Sequence, residues 1–556
     1  MLFDSPRFAR PRRTLAPIAL VALSLVLSAC GGDESPTATT TSGVVYGTEA
    51  DTHKQFLGIP YAAPPVGNLR WAPPAAPASW TGERDATAFG SHCPQASTPG
   101  FGYGFAGGKE DCLFLNVYTP KTAGPHPVMV WIHGGAFVYG RSNSYIPTKL
   151  VQEGTVVVTI NYRLGSLGYL AHPALADANG RSGNYGYLDQ LAALKWVKNN
   201  IAGFGGDASN VTVFGQSAGG LSVSAQLASP LAAGLFHKAI VQSSPGLTLL
   251  DQATASGLGA ATAARVPAPA IPASGATPAV AAVTGFNCPT DASAAACLRA
   301  RSADYIVANQ PGSFSPVNQP VIDGSFLTQS MNAAFAAGTF NKVPLMVGNT
   351  HDEFTSFLGQ TELRNGAAMT ATAYPFAMAA QFTSPPSPAG FSTYLTNTLY
   401  PLSAYPQDAT GPSLAFSAAV ADTLFACATR KAQKQFNAAA VTLYAYEFND
   451  PNAPMSLQPL VSFPYKAYHA SEIQYLFNVP GSTLTTAQQQ LANTMVSQWA
   501  KFARTGNPAL TGGTAWPVFG STENVLSLAP TGTGAGTVVV NNFAADHKCA
   551  VWTPGV

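Results

Sequence analysis

Charged side chains are scarce in this chain. They make up 10% of its 556 residues, against roughly 25% in ordinary soluble domains. Neither sign prevails: 28 basic and 27 acidic residues leave a formal net charge of +1. No basic or acidic stripe exists to hold a polyanion or to steer a strongly charged partner, so no nucleic-acid binding is expected. No cysteines stand in C-x-x-C spacing and no histidines cluster along the chain, so no metal site is expected. Beyond the first 30 residues no run is long and apolar enough to suggest a membrane span, and no internal repeat is visible.

What is present begins with a targeting segment. Arg7, Arg10, Arg12 and Arg13 precede the apolar run Leu15 to Ala29 (LAPIALVALSLVLSA). Its length suits a signal peptide. The run ends Leu27-Ser28-Ala29-Cys30, which resembles a bacterial lipobox. Residues 1–30 are therefore expected to be a lipoprotein signal whose Cys30 carries the lipid, with export from a bacterial cytoplasm. Gly31 follows Cys30, where an inner-membrane retention signal has Asp, so the outer membrane is the expected location. Residues 31–42, small and polar, read as a flexible tether, and 43–556 as a single domain. The membrane is then touched only through this N-terminal anchor.

From Val44 to Gln242 strand-like and helical patterns alternate. LFLNVY (Leu113 to Tyr118), VMVWI (Val128 to Ile132), TVVVTI (Thr155 to Ile160), Val211 to Phe214 and KAIVQ (Lys238 to Gln242) are apolar runs of strand length. Asp189 to Asn200 carries Leu191, Leu194 and Val197 at helical spacing. Continuous apolar strands alternating with helices indicate an α/β fold with a largely parallel sheet. The Ala- and Pro-rich stretch from 250 to 310 reads as an insertion, because strand patterns resume at Val343 to Gly348 and Val441 to Phe448. Residues 360–440 read as mostly helical.

Gly215-Gln216-Ser217-Ala218-Gly219 follows one of these strands and precedes LSVSAQLA. A strand, a tight turn carrying Ser and a helix form the setting of a G-x-S-x-G nucleophile elbow. In a chain with 52 glycines the five residues alone are weak evidence, and the reading depends on partners. WIHGGAFVYG places a glycine-rich turn straight after an apolar strand, where backbone N–H groups can form an oxyanion hole. In hydrolases of this type the chain order is Ser, acid, His. Of nine histidines, this order favours His469 and His547, whereas His133 belongs to the glycine turn. VPLMVGNTHDEF offers Asp352 or Glu353 as the acid, with His351 beside them, and spacing does not separate the two carboxylates.

Several blocks in order now resemble the type-B carboxylesterase family. They are QFLGIPYAAPPVGNLRWAPP, EDCLFLNVYTP, WIHGGAFVYG, NYRLGSLGYL, the long block from Gly183 to Gly220, GNTHDEF and HASEIQYLF. The resemblance runs from about Val44 to the C-terminus. It implies an α/β-hydrolase fold, a large mostly parallel sheet flanked by helices with helical insertions. It implies a serine esterase that needs no cofactor and takes small-molecule esters. Carried over by motif, the nucleophile is Ser217, the acid Glu353 and the base His469. The oxyanion donors are the N–H groups of Gly135, Ala136 and Ala218. Seven cysteines are present; with Cys30 on lipid, the resemblance implies the disulfides Cys93–Cys112, Cys288–Cys297 and Cys427–Cys549.

Three positions depart from the family pattern. Gln216 stands where most members have Glu, which disfavours cationic substrates. Phe354 stands where Gly is usual. The short loop PGFGYGFAGG carries Phe101, Tyr103 and Phe105; in the family it lies near the gorge entrance, so these aromatics either line the entrance and favour apolar or aromatic esters or belong to a mobile Gly-rich surface loop. Neutral, apolar or aromatic esters of small to medium size are therefore the expected substrates. A catalytically silent binding protein of this fold would lack the nucleophile, which is present here. A lipase would share the triad and differ in lid and acyl pocket.

Overall fold

The computed structural model describes residues 35–97, 105–270, 282–382, 390–456, 458–534 and 536–555. The expected signal segment, Cys30 and the start of the tether lie outside the described residues, as do Phe101 and Tyr103.

The apolar runs form the main sheet. Its strands are β1 (Thr48–Glu49), β2 (His53–Pro60), β3 (Phe114–Pro120), β4 (His126–Ile132), β5 (Val156–Ile160), β6 (Gly206–Gln216), β7 (Lys238–Gln242), β8 (Leu345–Thr350), β9 (Leu443–Phe448), β10 (Val525–Leu528) and β11 (Val538–Val540). Their spatial order is β11-β10-β9-β8-β7-β6-β4-β5-β3-β2-β1. The strands from β5 to β10 in this order are parallel, and antiparallel pairs close both ends. This is the α/β-hydrolase fold.

The continuous apolar runs have a simple cause. Val128, Val130 and Ile132 of β4 enter one core cluster, while Met129 and Trp131 enter another. The same alternation sorts Ala239 and Val241 from Ile240, and Leu345 and Val347 from Met346. Successive side chains point to opposite faces, and here both faces are covered. On the first face lie α1 (Tyr185–Asn200) and α2 (Ala218–Ala228), through residues such as Leu194, Trp196 and Leu221. α3 (Thr355–Asn365) follows β8 and contributes Leu358 to the second core cluster. α4 (Thr486–Thr505) supplies Met495 and Trp499 to that cluster.

Two expectations are corrected. The tether was expected to reach residue 42, but Thr37–Thr40 is a strand paired antiparallel with Gly43–Tyr46. Its residues alternate, with Ala38 and Thr40 buried and Thr37 and Thr39 exposed, and small side chains suffice where a short strand covers an existing core. The second concerns length and hydropathy. The helical stretch Gly411–Ala438 is long and apolar enough by composition to cross a membrane, but 78% of its most apolar window is buried inside the protein. It is a core element. The 250–310 region contains helices at Gln252–Ala264, Ala294–Ala300 and Ala303–Asn309 and stays within the compact unit Pro36–Val556.

Candidate active site

Chain order reverses once in the middle of the sheet. β4 is followed by its neighbour on one side, β5, whereas β6, β7 and β8 step away on the other. Loops leaving the carboxyl ends of β4 and β6 therefore diverge and leave a crevice, the usual ligand position in such sheets. Ile132 and Gly215 are register partners, so the glycine turn and the Ser elbow leave the sheet at the same level.

The elbow is tight. Ser217 has φ 60° and ψ −124°, a region that costs a non-glycine residue energy. Its N–H donates to Gln242 O at 2.9 Å, and its carbonyl accepts from Leu221 N at 2.8 Å in the first turn of α2. A Cβ on Gly219 would lie 2.0 Å from Ile132 O, and one on Gly215 would lie 2.6 Å from Gly219 O. Both glycines are thus required by close backbone approach. Across the crevice, a Cβ on Gly134 would lie 2.7 Å from Gln216 O and 3.0 Å from Ser217 Cβ.

The glycine turn lies beside this point. Gly135 and Ala136 have φ of 112° and 49°. Among the described residues, neither N–H has a hydrogen-bond acceptor. Ala218 opens α2, so its N–H is one of the free donors of a helix N-terminus. His133 supports the turn from behind: Nδ1 pairs with Gly134 O at 2.8 Å, and its ring stacks on Tyr162 at 4.4 Å. Burial pushes this imidazole down to about 4, so it is neutral.

Glu353 and His469 come from two loops held in register. Asp352 N donates to Ala467 O, and Asp352 and Tyr468 form a parallel bridge. The next residue on each strand is then Glu353 and His469, and their side chains meet. Glu353 Oε2 pairs with His469 Nδ1, and its Oε1 accepts from Thr350 N at 2.9 Å. Both side chains are buried, at 0% and 5% exposure. The rings of Phe357 and Phe425 flank the imidazole at 4.9 and 5.1 Å.

Ser217, His469, Gly134, Gly135, Ala136 and Gln216 line one cavity of about 30 Å³, with Tyr139, Tyr145, Phe314 and Phe357 on its walls. A larger cavity of about 290 Å³ touches α2 through Leu221 and Ser224 but holds none of these groups. Among the described residues, Ser217, His469, Gly135 and Ala136 come together in the small cavity.

Three features go beyond what the sequence shows. Gln216 was marked only as a lost charge, yet its Nε2 lies 3.2 Å from His469 Nε2. With Nδ1–H directed to Glu353, Nε2 accepts this bond from the amide. Among the described residues, Ser217 Oγ makes no hydrogen bond, and His469 Nε2 is held by Gln216 instead. Catalytic hydrogen bonds often form only with substrate present. Glu472 is fully buried, accepts from Gln242 Nε2 at 3.2 Å, and is pushed up to about 8 by burial and by the nearby Glu353. It is protonated at neutral pH. Its place in the His-x-x-Glu block was the only available signal. Phe354 packs on Phe357 at 5.5 Å and Phe416 at 6.2 Å at the start of α3.

The other implied residues are placed as follows. Cys93–Cys112, Cys288–Cys297 and Cys427–Cys549 are bonded. Phe105 is 42% exposed under the guanidinium of Arg141, 3.3 Å from its ring centre. His547 is not near the cavity. It lies buried between Asp422 and Glu447.

A strained Ser turn beside a glycine turn on this sheet places the chain in a class, the hydrolases of the α/β-hydrolase fold. Comparison with known proteins narrows it. The model of the carboxylesterase family matches residues 34–552. The chain is 35% identical to a human cocaine esterase, over 94% of this chain and 93% of that protein. It is 34% identical to the para-nitrobenzyl esterase of Bacillus subtilis, over 86% and 92%. It is 34% identical to a fumonisin B1 esterase of Sphingopyxis macrogoltabida, over 89% and 87%. The chain belongs to the carboxylesterase family and is a carboxylic ester hydrolase.

Proposed function

We propose that this esterase works by acyl transfer through Ser217, His469 and Glu353. The reading is carried by one observation: Ser217, His469 and the unpartnered N–H groups of Gly135 and Ala136 share one cavity. Glu353 holds His469 in the tautomer whose Nε2 can accept a proton. On substrate binding, His469 exchanges its contact with Gln216 for the Oγ–H of Ser217. That contact is a neutral hydrogen bond, worth about 1 kcal/mol net. Ser217 Oγ attacks the ester carbonyl as His469 takes its proton. The N–H groups of Gly135, Ala136 and Ala218 hold the oxyanion. His469 returns the proton to the leaving alcohol, and water releases the acid by the same steps.

Neutral esters with an apolar or aromatic group fit the site best. Tyr139, Tyr145, Phe314 and Phe357 wall the cavity, and the side chain beside Ser217 is an amide rather than a carboxylate. The Bacillus relative is named for a para-nitrobenzyl ester, an aromatic substrate of this kind. Residues 1–30 act as a lipoprotein signal, and Cys30 anchors the enzyme to the outer membrane.

Labelling with a fluorophosphonate, followed by peptide mapping, tests the chemistry. A single adduct on Ser217 is expected. Folded protein that takes no adduct, or takes it at another residue, overturns the assignment. Mass spectrometry of the mature N-terminus tests the anchor, with a lipidated Cys30 expected.

A further inference from the structure

His351 follows β8 and His547 lies in the C-terminal segment, yet their rings are 5.2 Å apart. Glu447 of β9 and Asp546 join them. One ligand atom from each of the four lies within 4.8 Å of every other. His547 Nδ1 faces Asp422 Oδ1 at 2.6 Å, and its Nε2 faces Glu447 Oε1 at 2.6 Å. His351 Nε2 lies 3.5 Å from Asp546 Oδ2. A cavity of about 130 Å³ opens onto His351, Asp546 and His547.

Charge at this place balances in one of two ways. Asp352, Asp422, Glu447 and Asp546 are four carboxylates in direct contact with the two imidazoles. Lys466 lies 3.7 Å from Asp352 and Lys548 lies 3.9 Å from Asp422. With neutral imidazoles, two negative charges remain. Charge of one sign gathered at a partly buried place is costly unless neutralised. Protons on both imidazoles would do this, and so would one divalent cation.

We propose that His351, Glu447, Asp546 and His547 form a binding site for one divalent transition-metal ion of the zinc class. Two imidazoles and two carboxylates suit zinc, whereas calcium and magnesium take oxygen ligands. Asp422 on Nδ1 of His547 supplies the outer carboxylate that orients a metal-binding imidazole and leaves Nε2 for the ion. Zinc bonds of about 2.0–2.1 Å set tetrahedral ligand atoms about 3.3 Å apart. The ion therefore replaces the hydrogen between His547 and Glu447. His351 and Asp546 close in by rotation, which their side-chain exposures of 31% and 53% allow. Four protein ligands fill the coordination sphere, so the ion is structural rather than catalytic. It ties the loop that carries Glu353 to the C-terminal segment, which Cys427–Cys549 also holds. The proposal does not rest on the catalytic assignment.

The test is calorimetric titration of the chelator-stripped, folded enzyme with zinc chloride at pH 8, with calcium and magnesium chloride in parallel. One zinc ion per chain is expected, with Kd of about 1 µM or below and at least about 100-fold weaker uptake of the other two ions. His351→Ala and Asp546→Asn change partly exposed side chains. Each, with its fold checked by circular dichroism, is expected to weaken zinc binding at least about tenfold. Absence of zinc uptake by the parent enzyme at about 100 µM overturns the proposal, since a site with that Kd would be nearly saturated. Parental affinity in His351→Ala also overturns it. Protons on the two imidazoles would then account for the charge.

Discussion

His469 and His547 are both buried, and both hold a carboxylate against Nδ1. They differ in what Nε2 meets. In His469 it meets the neutral amide of Gln216 beside Ser217. In His547 it meets a second carboxylate, Glu447. Burial draws the His547 imidazole down, but Glu447 and Asp422 more than offset this and push it up to about 9. Without a metal it is an imidazolium at neutral pH, with no lone pair to accept a proton. A histidine–carboxylate pair is therefore not by itself a catalytic element. One nitrogen has to be held and the other left available.

The largest expected effect tests the available nitrogen. Ser217→Ala or His469→Gln should lower kcat by about 10⁴-fold or more, with the unfolding midpoint nearly unchanged. Most of the activity surviving in His469→Gln would break the contrast. Gly134→Ala comes next. Its Cβ meets Gln216 O and Ser217 Cβ, so the glycine turn has to shift; with the proposed oxyanion donors on it, the expected cost is about 10²–10³ in kcat. Parental kcat in a folded variant would show that the turn yields freely.

The saturated histidine should respond in the opposite way. His547→Gln leaves Asp422 and Glu447 facing each other without the cation between them. Breaking such a buried pair costs about 3–5 kcal/mol of stability, readable by urea unfolding. Per folded molecule, kcat should fall less than about tenfold, since the residue lies outside the cavity that holds Ser217 and His469. A deep loss of kcat with unchanged stability would reverse the roles of the two histidines.

Glu472 sharpens the same point for a carboxyl. Its folded pKa of about 8 lies above its ordinary 4.5, so the folded state keeps a proton that the unfolded state releases. Stability then falls as pH rises from 4.5 and levels off above 8, by an amount on the order of a few kcal/mol. Glu472→Gln should flatten this slope and be the more stable form at pH 9. Identical slopes in urea unfolding at pH 5, 7 and 9 would remove the argument. The smallest effect belongs to Gln216→Glu. A carboxylate there should raise the cationic-to-neutral ratio of kcat/KM several-fold and move its acid limb to higher pH. An unchanged ratio would mean that substrate never meets this charge.

Much of this was legible in the residues. Strands buried on both faces need apolar side chains at every position, so VMVWI and TVVVTI announce a parallel sheet. The elbow and the glycine turn are legible because close backbone approach leaves glycine as the only residue that fits. The motifs of the family could order Glu353 before His469. The tether boundary was misjudged because small polar residues look flexible, whereas Thr37–Thr40 alternates and pairs.

What the sequence determined alone was local: strand and helix patterns, the strained Ser turn, and the types of residue present. Only the tertiary structure decided which of these meet. The Asp352–Tyr468 bridge sets Glu353 against His469 across 116 positions of chain. The same folding brings His351, Glu447, Asp546 and His547 together, a cluster that no ligand spacing along the chain reveals. The physical reason is that a side chain's protonation and availability depend on burial and on neighbouring charge. Those neighbours are distant in sequence and become adjacent only when the loops at the ends of parallel strands converge.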